Sequence, residues 1–178
     1  MRQKRLLPSW TCLGLASILI CLTSEAAHGQ EQKQQRSLET SSRIVAGTLV
    51  NGDIDLRTLR PALEALPRRP ERIVVVDAES LPPRHEKQWR DLDAFVPIGD
   101  RVIYLLRQSQ TMLAAEYSGG PYVLMLAVII WHEMAHAEGL DERHAQEREE
   151  DLWKQFVQRG LVDSAVGLTY LDELRRRR

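Results

Sequence analysis

An apolar segment from Tyr122 to Trp131 runs without a break into the sequence HEMAH at positions 132 to 136. This stretch is too short to cross a bilayer, and a helix that is hydrophobic on every side belongs in the interior of a domain. Pro121 suits the first turn of such a helix, and Gly139 suits its end. The sequence therefore predicts a buried central helix that carries two histidines and a glutamate into the interior.

The spacing within this motif predicts metal chemistry. His132 and His136 are four residues apart, so their imidazoles lie on one face of the helix and can bind one cation. Glu133 lies next to that face, where a carboxylate can act on a metal-bound water. About 0.01 chance matches to HExxH are expected in a chain of this composition. Three buried polar groups without partners are costly, and one bound Zn²⁺ per chain removes that cost.

On this motif, the segment from about Pro121 to Phe156 resembles the zincin metallopeptidases. The resemblance implies that His132 and His136 are zinc ligands and that Glu133 is the catalytic general base. It also implies that a zinc-bound water activated by Glu133 hydrolyses peptide bonds, with a peptide or protein as substrate. The predicted strand at positions 101–106 resembles, less specifically, the edge strand on which zincins align an extended substrate.

The third ligand has two family interpretations. The pattern from His132 to Glu142 has the metzincin spacing with Glu in place of the third His, but no methionine follows Met134 to form the methionine turn. Gluzincins instead take a Glu from a following helix, in an ExxA or ExxxD context. Glu142 fits the first form, and Glu147 fits the second. The spacing of these glutamates from His136 is shorter than in the large gluzincins, so the resemblance is to a small gluzincin-like type.

Helical geometry ranks the acidic residues that follow. If the chain reverses at Gly139, Glu142 lies opposite His136, whereas Glu149 lies about 10 Å further along the helix, nearer His132. We expect Glu142 to be the third metal ligand, with Glu149 as the alternative. Glu147 and Glu150 are expected to face water.

Secondary roles are less determined by the pattern. Tyr117, Tyr122 and Tyr170 are each able to donate a phenol to an oxyanion, and the sequence does not choose among them. Asp141 or Asp151 is a candidate to orient a ligand imidazole through a hydrogen bond.

The pattern of the domain predicts an α+β fold, with a few N-terminal strands before a mainly helical half that contains the HExxH helix. The resemblance implies that this is a small zincin-like domain. A helix capped by Asp53 or Asp55 is expected after the turn at Asn51-Gly52. The expected strands are 43–50, 72–77 and 101–106. The expected helices, besides the HExxH helix, include one over Leu56 to Leu66, a short one through Trp89 and Leu92, and those at 109–117, 141–159 and 163–175.

The N-terminus has the layout of a secretory signal peptide over residues 1–29, with early basic residues, an apolar stretch from Trp10 to Leu22 and small residues before Gln30. Residues 30–42 are polar and are predicted to form a disordered linker to the domain at 43–178. A secreted or periplasmic location follows. An uncleaved anchor is the alternative, whereas the bulky Ile20 argues against acylation of Cys21.

Both cysteines, Cys12 and Cys21, lie in this leader, so histidine and carboxylate must hold the metal. The net charge of −1 gives no basic footprint for nucleic acid, and we expect no stable membrane span after signal cleavage. The alternative function, from a different class, is a secreted zinc-stabilised binding or scaffold protein whose HExxH site is inactive.

Overall fold

The computed structural model describes residues 42–81 and 92–176. The predicted signal peptide and the linker apart from Ser42 lie outside them. The helix predicted through Trp89 and Leu92 also lies outside them except for Leu92, which is not helical. The described residues form an α+β domain, as the sequence predicts. Their sheet is mixed and has five strands, of which β4 was not predicted. The strands are β1 (Arg43–Val45), β2 (Thr48–Asn51), β3 (Arg72–Val76), β4 (Ala94–Phe95) and β5 (Ile103–Leu106). The helices are α1 (Leu56–Glu64), α2 (Gln110–Ser118), α3 (Pro121–Ala137), α4 (Glu142–Gln158) and α5 (Ser164–Arg176).

The sheet has the order β1-β2-β3-β5-β4, with parallel pairs at its centre and an antiparallel pair at each end. The single strand predicted over 43–50 is wrong, because Ala46 and Gly47, at φ 49° and 92°, turn the chain into the hairpin β1-β2. Gly52 follows at φ 96°, and a Cβ there would lie 2.4 Å from the Val75 carbonyl oxygen. The close passage of this segment over β3 therefore requires glycine.

The helices begin where the sequence places their caps. The Asp55 carboxylate accepts a hydrogen bond from the Arg57 amide at 2.8 Å at the start of α1. The Asp141 carboxylate accepts one from the His144 amide at 3.0 Å at the start of α4. Both caps satisfy amide groups that have no partner within the helix. Gly139, at φ 84°, turns the chain between α3 and α4.

Helix α3 packs against α4, α2, α1 and the β4-β5 end of the sheet. Its middle is buried, with Leu126 and Ile130 in the same core as Ile103 of β5. The prediction that it is buried on every side is wrong for its first turn, where Tyr122 is 39% exposed. In the described part of the chain, no helix is long and apolar enough to cross a membrane.

Helices α4 and α5 are in close contact. Trp153 is fully buried, and its indole N–H donates to the Gly167 carbonyl of α5 at 3.0 Å. A Cβ on Gly167 would lie 2.5 Å from a methyl group of Val157, so the absence of a side chain permits this approach.

Two glutamates of α4 were expected to face water, and one of them does not. Glu147 is exposed, as predicted. Glu150 is only 8% exposed, so its prediction is wrong. Its carboxylate lies 2.9 Å from the Lys154 ammonium and 3.8 Å from the Arg175 guanidinium of α5. The packing of α5 on α4 buries this position, and these cations offset the cost of burying the charge.

Candidate metal centre

The two histidines of the motif lie one turn apart near the end of α3, with their Nε2 atoms 3.1 Å from each other. The other nitrogen of each ring has an acceptor. His132 Nδ1 lies 2.8 Å from Glu149 Oε2, and His136 Nδ1 lies 3.0 Å from the Leu140 carbonyl oxygen. These partners place the proton of each neutral ring on Nδ1 and leave a lone pair on each Nε2.

Glu142 reaches the same point from the first turn of α4. Its Oε2 lies 3.1 Å from His136 Nε2 and 3.6 Å from His132 Nε2. The Gln146 side-chain amide donates to its Oε1 at 2.8 Å. The reversal at Gly139 brings the start of α4 back to the end of α3, and this is the condition under which Glu142 is expected opposite His136.

The three converging atoms are all acceptors when both rings are neutral, so their lone pairs repel each other unless a cation lies between them. A tetrahedral zinc ion with bonds of about 2.0–2.1 Å separates its ligand atoms by roughly 3.3 Å. The separations of 3.1, 3.1 and 3.6 Å lie on either side of that value. The donor set, two imidazoles and one carboxylate, also suits zinc. The residues therefore fit the ion in both chemistry and spacing.

Glu149 lies on the far side of the His132 ring from this cluster. Its side chain is 6% exposed, and its two oxygens have different partners. Oε2 meets His132 Nδ1, while Oε1 accepts a hydrogen bond of 2.5 Å from the Tyr170 hydroxyl. Glu149 is thus placed to orient the His132 ring, the role for which Asp141 and Asp151 are the candidates in the sequence.

Those two aspartates serve other purposes, so that assignment is wrong. Asp141 caps α4 and its carboxylate lies 2.6 Å from His144 Nδ1, and Asp151 pairs with Lys154 at 3.5 Å. The hydrogen bond from His136 to the Leu140 carbonyl was also missed. A main-chain acceptor of this kind leaves no signal in side-chain patterns.

Glu133 is 8% exposed, and its burial raises the pKa of its carboxyl above the ordinary value. The pKa of His132 is raised as well. Burial alone would lower the pKa of His132, but the hydrogen bond and charge of Glu149, with the charges of Glu133 and Glu142, outweigh it. The buried part of the site therefore holds two groups whose pKa values are raised, and shifted pKa values are common at functional sites.

An open cleft of about 560 Å³ exposes this cluster to solvent. One wall is the HExxH end of α3 with Glu142, and the opposite wall is the segment 92–99, which contains β4. The prediction that the strand at 101–106 is the edge strand is wrong, because β5 lies between β3 and β4. The edge strand beside the site is β4.

β4 is the last strand in the sheet order, so one of its edges pairs with no other strand of the described residues. The Leu106 amide donates to the Asp93 carbonyl at 3.0 Å, which makes these two opposite residues a hydrogen-bonded pair. Because hydrogen-bonded and free pairs alternate along an antiparallel ladder, the N–H and C=O of Ala94 point away from β5. No other strand of the described residues pairs with them.

None of the three candidate tyrosines has a free hydroxyl placed at the cluster. Tyr117, on α2, is 85% exposed, and Tyr122 is in the first turn of α3, away from the motif. Tyr170 is 6% exposed and donates to Glu149. The His144 ring contacts the Asp141 carboxylate at the start of α4, with Nδ1 2.6 Å from the carboxylate oxygen.

Comparison of the chain with protein-family models, with curated proteins and with solved structures found no match. The function is therefore argued from the arrangement of the chain's own residues.

Proposed function

We propose that this chain is an exported zinc metallopeptidase of the small gluzincin-like type, which binds one Zn²⁺ and hydrolyses a peptide or protein substrate. His132, His136 and Glu142 would hold the ion, and Glu133 is the general base. The observation that carries the proposal is the convergence of two imidazole nitrogens and one carboxylate oxygen, all acceptors, at one point beside a cleft. The HExxH motif contains His132, Glu133 and His136, and only Glu142 comes from outside it.

The number of ligands favours catalysis over a purely structural site. Three protein ligands leave one position open, whereas structural zinc sites are closed by four. The Glu142 side chain is 63% exposed and lies in the wall of the cleft, so water and substrate reach this side of the cluster. Zinc bound there would act as a Lewis acid that polarises a peptide carbonyl, and it would lower the pKa of a bound water.

Glu133 supplies the proton transfers. It precedes the second histidine on the same helix and lines the cleft. Its raised pKa brings its proton affinity closer to neutral pH, where a base that accepts a proton from water can return it to the leaving amine. A carboxyl with an ordinary pKa is a weaker base, and at neutral pH a smaller fraction of it carries the proton that the leaving amine needs.

The outer edge of β4, which pairs with no other strand of the described residues, favours an extended peptide as the substrate. A strand that pairs with the main-chain groups of Ala94 lies along the wall that faces His132 and Glu133. Such pairing uses backbone hydrogen bonds, so it requires an extended conformation and places few demands on sequence. The apolar side chains of Val96 and Ile129 line the same cleft and would select among substrates.

The first experiment measures zinc by mass spectrometry on the chain that begins at Gln30, followed by hydrolysis of casein and a peptide library with and without a chelator. We expect one zinc per chain and cleavage that the chelator abolishes. Glu133→Gln retains the zinc and loses hydrolysis by about 10²–10⁴-fold, the usual contribution of a general base. Glu147→Gln, on an exposed side chain of α4, is the matched control and keeps both.

The outcomes separate the two classes of function. Zinc at one per chain without chelator-sensitive cleavage supports the scaffold protein and overturns the peptidase. A chain that binds no zinc refutes the site altogether. Full activity in Glu133→Gln contradicts the role of this residue.

Export is supported by the residue pattern of positions 1–29. N-terminal sequencing of the protein recovered from outside the cytoplasm is expected to begin at Gln30 or a neighbouring residue. A chain that retains Met1 contradicts cleavage and supports an uncleaved anchor.

A further inference from the structure

We infer that Tyr170 of the last helix is a positioning residue for the metal centre, acting through Glu149 on His132. This inference rests on the proposed zinc site and deepens it, since it adds an element, α5, that the HExxH segment does not contain. Three side chains from three helices form the connection. The Tyr170 hydroxyl donates to Glu149 at 2.5 Å, and Glu149 in turn meets His132 at 2.8 Å.

The geometry at Glu149 explains why a second partner matters. A glutamate side chain has three rotatable bonds, so one hydrogen bond to His132 does not by itself hold it in a single rotamer. The hydroxyl of Tyr170 holds the other oxygen, and both oxygens are then fixed in a buried environment. A fixed carboxylate fixes the plane of the His132 ring and the direction of its Nε2 lone pair.

Tyr170 is itself held by packing. Its ring lies 4.5 Å from that of Trp153, measured between centroids, and it is 6% exposed. The Trp153 indole donates to Gly167, one turn before Tyr170 on α5. The position of α5 on α4 therefore determines the position of the hydroxyl, and through it the orientation of a metal ligand.

The test compares Tyr170→Phe with the wild type by three readouts: zinc dissociation constant, zinc release rate, and the visible spectrum of the Co²⁺-loaded protein. We expect zinc binding about 10-fold weaker, at the low end of the range for partners that orient a ligand, with faster release. The cobalt bands shift because the ligand geometry changes. Tyr117→Phe makes the same chemical change at an exposed position and leaves all three readouts unchanged.

Two further variants separate positioning from general loosening of the fold. Val162→Ala, in the loop that joins α4 to α5, removes buried core volume and lowers the melting temperature, but leaves the cobalt spectrum as in the wild type. In a Glu149→Ala background, Tyr170→Phe causes no further loss of zinc affinity, since its effect passes through Glu149.

Three results would contradict the role of Tyr170. A wild type that binds zinc and cobalt while Tyr170→Phe binds them equally well, with the same spectrum, overturns this inference alone. An undiminished loss in the Glu149→Ala background also overturns it. A wild type that binds neither metal overturns the proposed function, and this inference with it.

Discussion

The first turn of α4 and its middle meet the same pair of histidines in different ways. Glu142, in the first turn, is 63% exposed and faces the Nε2 atoms from the cleft. Glu149, two turns later, is 6% exposed and faces the opposite nitrogen of His132 from the protein interior. Both are glutamates on one helix, yet one meets the lone pairs and the other meets a ring proton.

The difference shows that side of approach, more than residue type, decides what a carboxylate does at a histidine. An acid that meets Nε2 from an open cleft can share a cation with it and be reached by water. An acid that meets Nδ1 in the interior fixes the tautomer and orientation of the ring. The two regions are therefore expected to respond differently to the same substitutions.

The largest effect is expected from Glu142→Ala on zinc affinity. Loss of a ligand atom is expected to raise the zinc dissociation constant by more than about 100-fold, beyond the 10–100-fold typical of partners that only orient a ligand. Because the side chain is exposed, the free energy of unfolding of the metal-free protein changes by less than about 0.5 kcal/mol. Competition with a chromogenic chelator and chemical denaturation measure the two quantities. Unchanged zinc affinity removes Glu142 from the ligand set.

Glu149→Ala has the opposite profile. It leaves the buried N–H of His132 and the buried hydroxyl of Tyr170 without their acceptor, so the metal-free protein loses about 1–3 kcal/mol of stability. Zinc affinity falls about 10–100-fold, less than for Glu142→Ala. The comparison between the two regions fails if Glu149→Ala weakens zinc binding more than Glu142→Ala does.

The pH dependence of zinc binding sharpens the role of Glu149. Zinc binds the deprotonated ring, and the pKa of His132 is raised above 6.5, so affinity begins to fall at a pH above that value. Below that pKa, protonation of His132 by itself lowers the affinity about 10-fold per pH unit, since zinc must displace one proton from this ring. In Glu149→Gln the carboxylate charge is gone and burial lowers the pKa, so the decline moves to lower pH. Titration of zinc affinity between pH 5 and 8 follows both proteins, and identical profiles argue against Glu149 as the cause.

The smallest effects concern the remaining acids of α4. Glu150→Ala removes the buried partner of Lys154 and Arg175 and is expected to cost about 1 kcal/mol of stability. Glu147→Ala, at an exposed position, changes stability by less than about 0.5 kcal/mol. Neither changes the zinc dissociation constant. Thermal denaturation of the two variants side by side tests the contrast, and equal melting temperatures contradict it.

Much of the fold follows from local rules that the sequence contains. The caps at Asp55 and Asp141 and the reversal at Gly139 depend on hydrogen bonds and dihedral angles within a few residues. The apolar run of α3 fixes its middle in the core. By contrast, Ala46-Gly47 carries a weak turn signal within a long apolar pattern, so the hairpin was read as one strand.

The candidate site divides in the same way. His132, Glu133 and His136 are near neighbours on one helix, so their arrangement is a property of helical spacing. The position of Glu142 opposite His136 follows from the short turn at Gly139, where the chain reverses. The edge strand, the burial of Glu150 and the role of Tyr170 depend on contacts between elements far apart in sequence, which no local pattern contains.

The sequence by itself determined the α+β class, the histidine pair with its glutamate, and the helix that presents them, because these follow from composition and periodicity. Only the tertiary structure decided which carboxylate faces the lone pairs and which faces the ring proton. Residues on one helix differ in role when other elements bury one of them and leave the other open to solvent. Here the packing of α5 against α4 leaves Glu149 only 6% exposed beside Tyr170, whereas Glu142, which lines the same cleft, is 63% exposed.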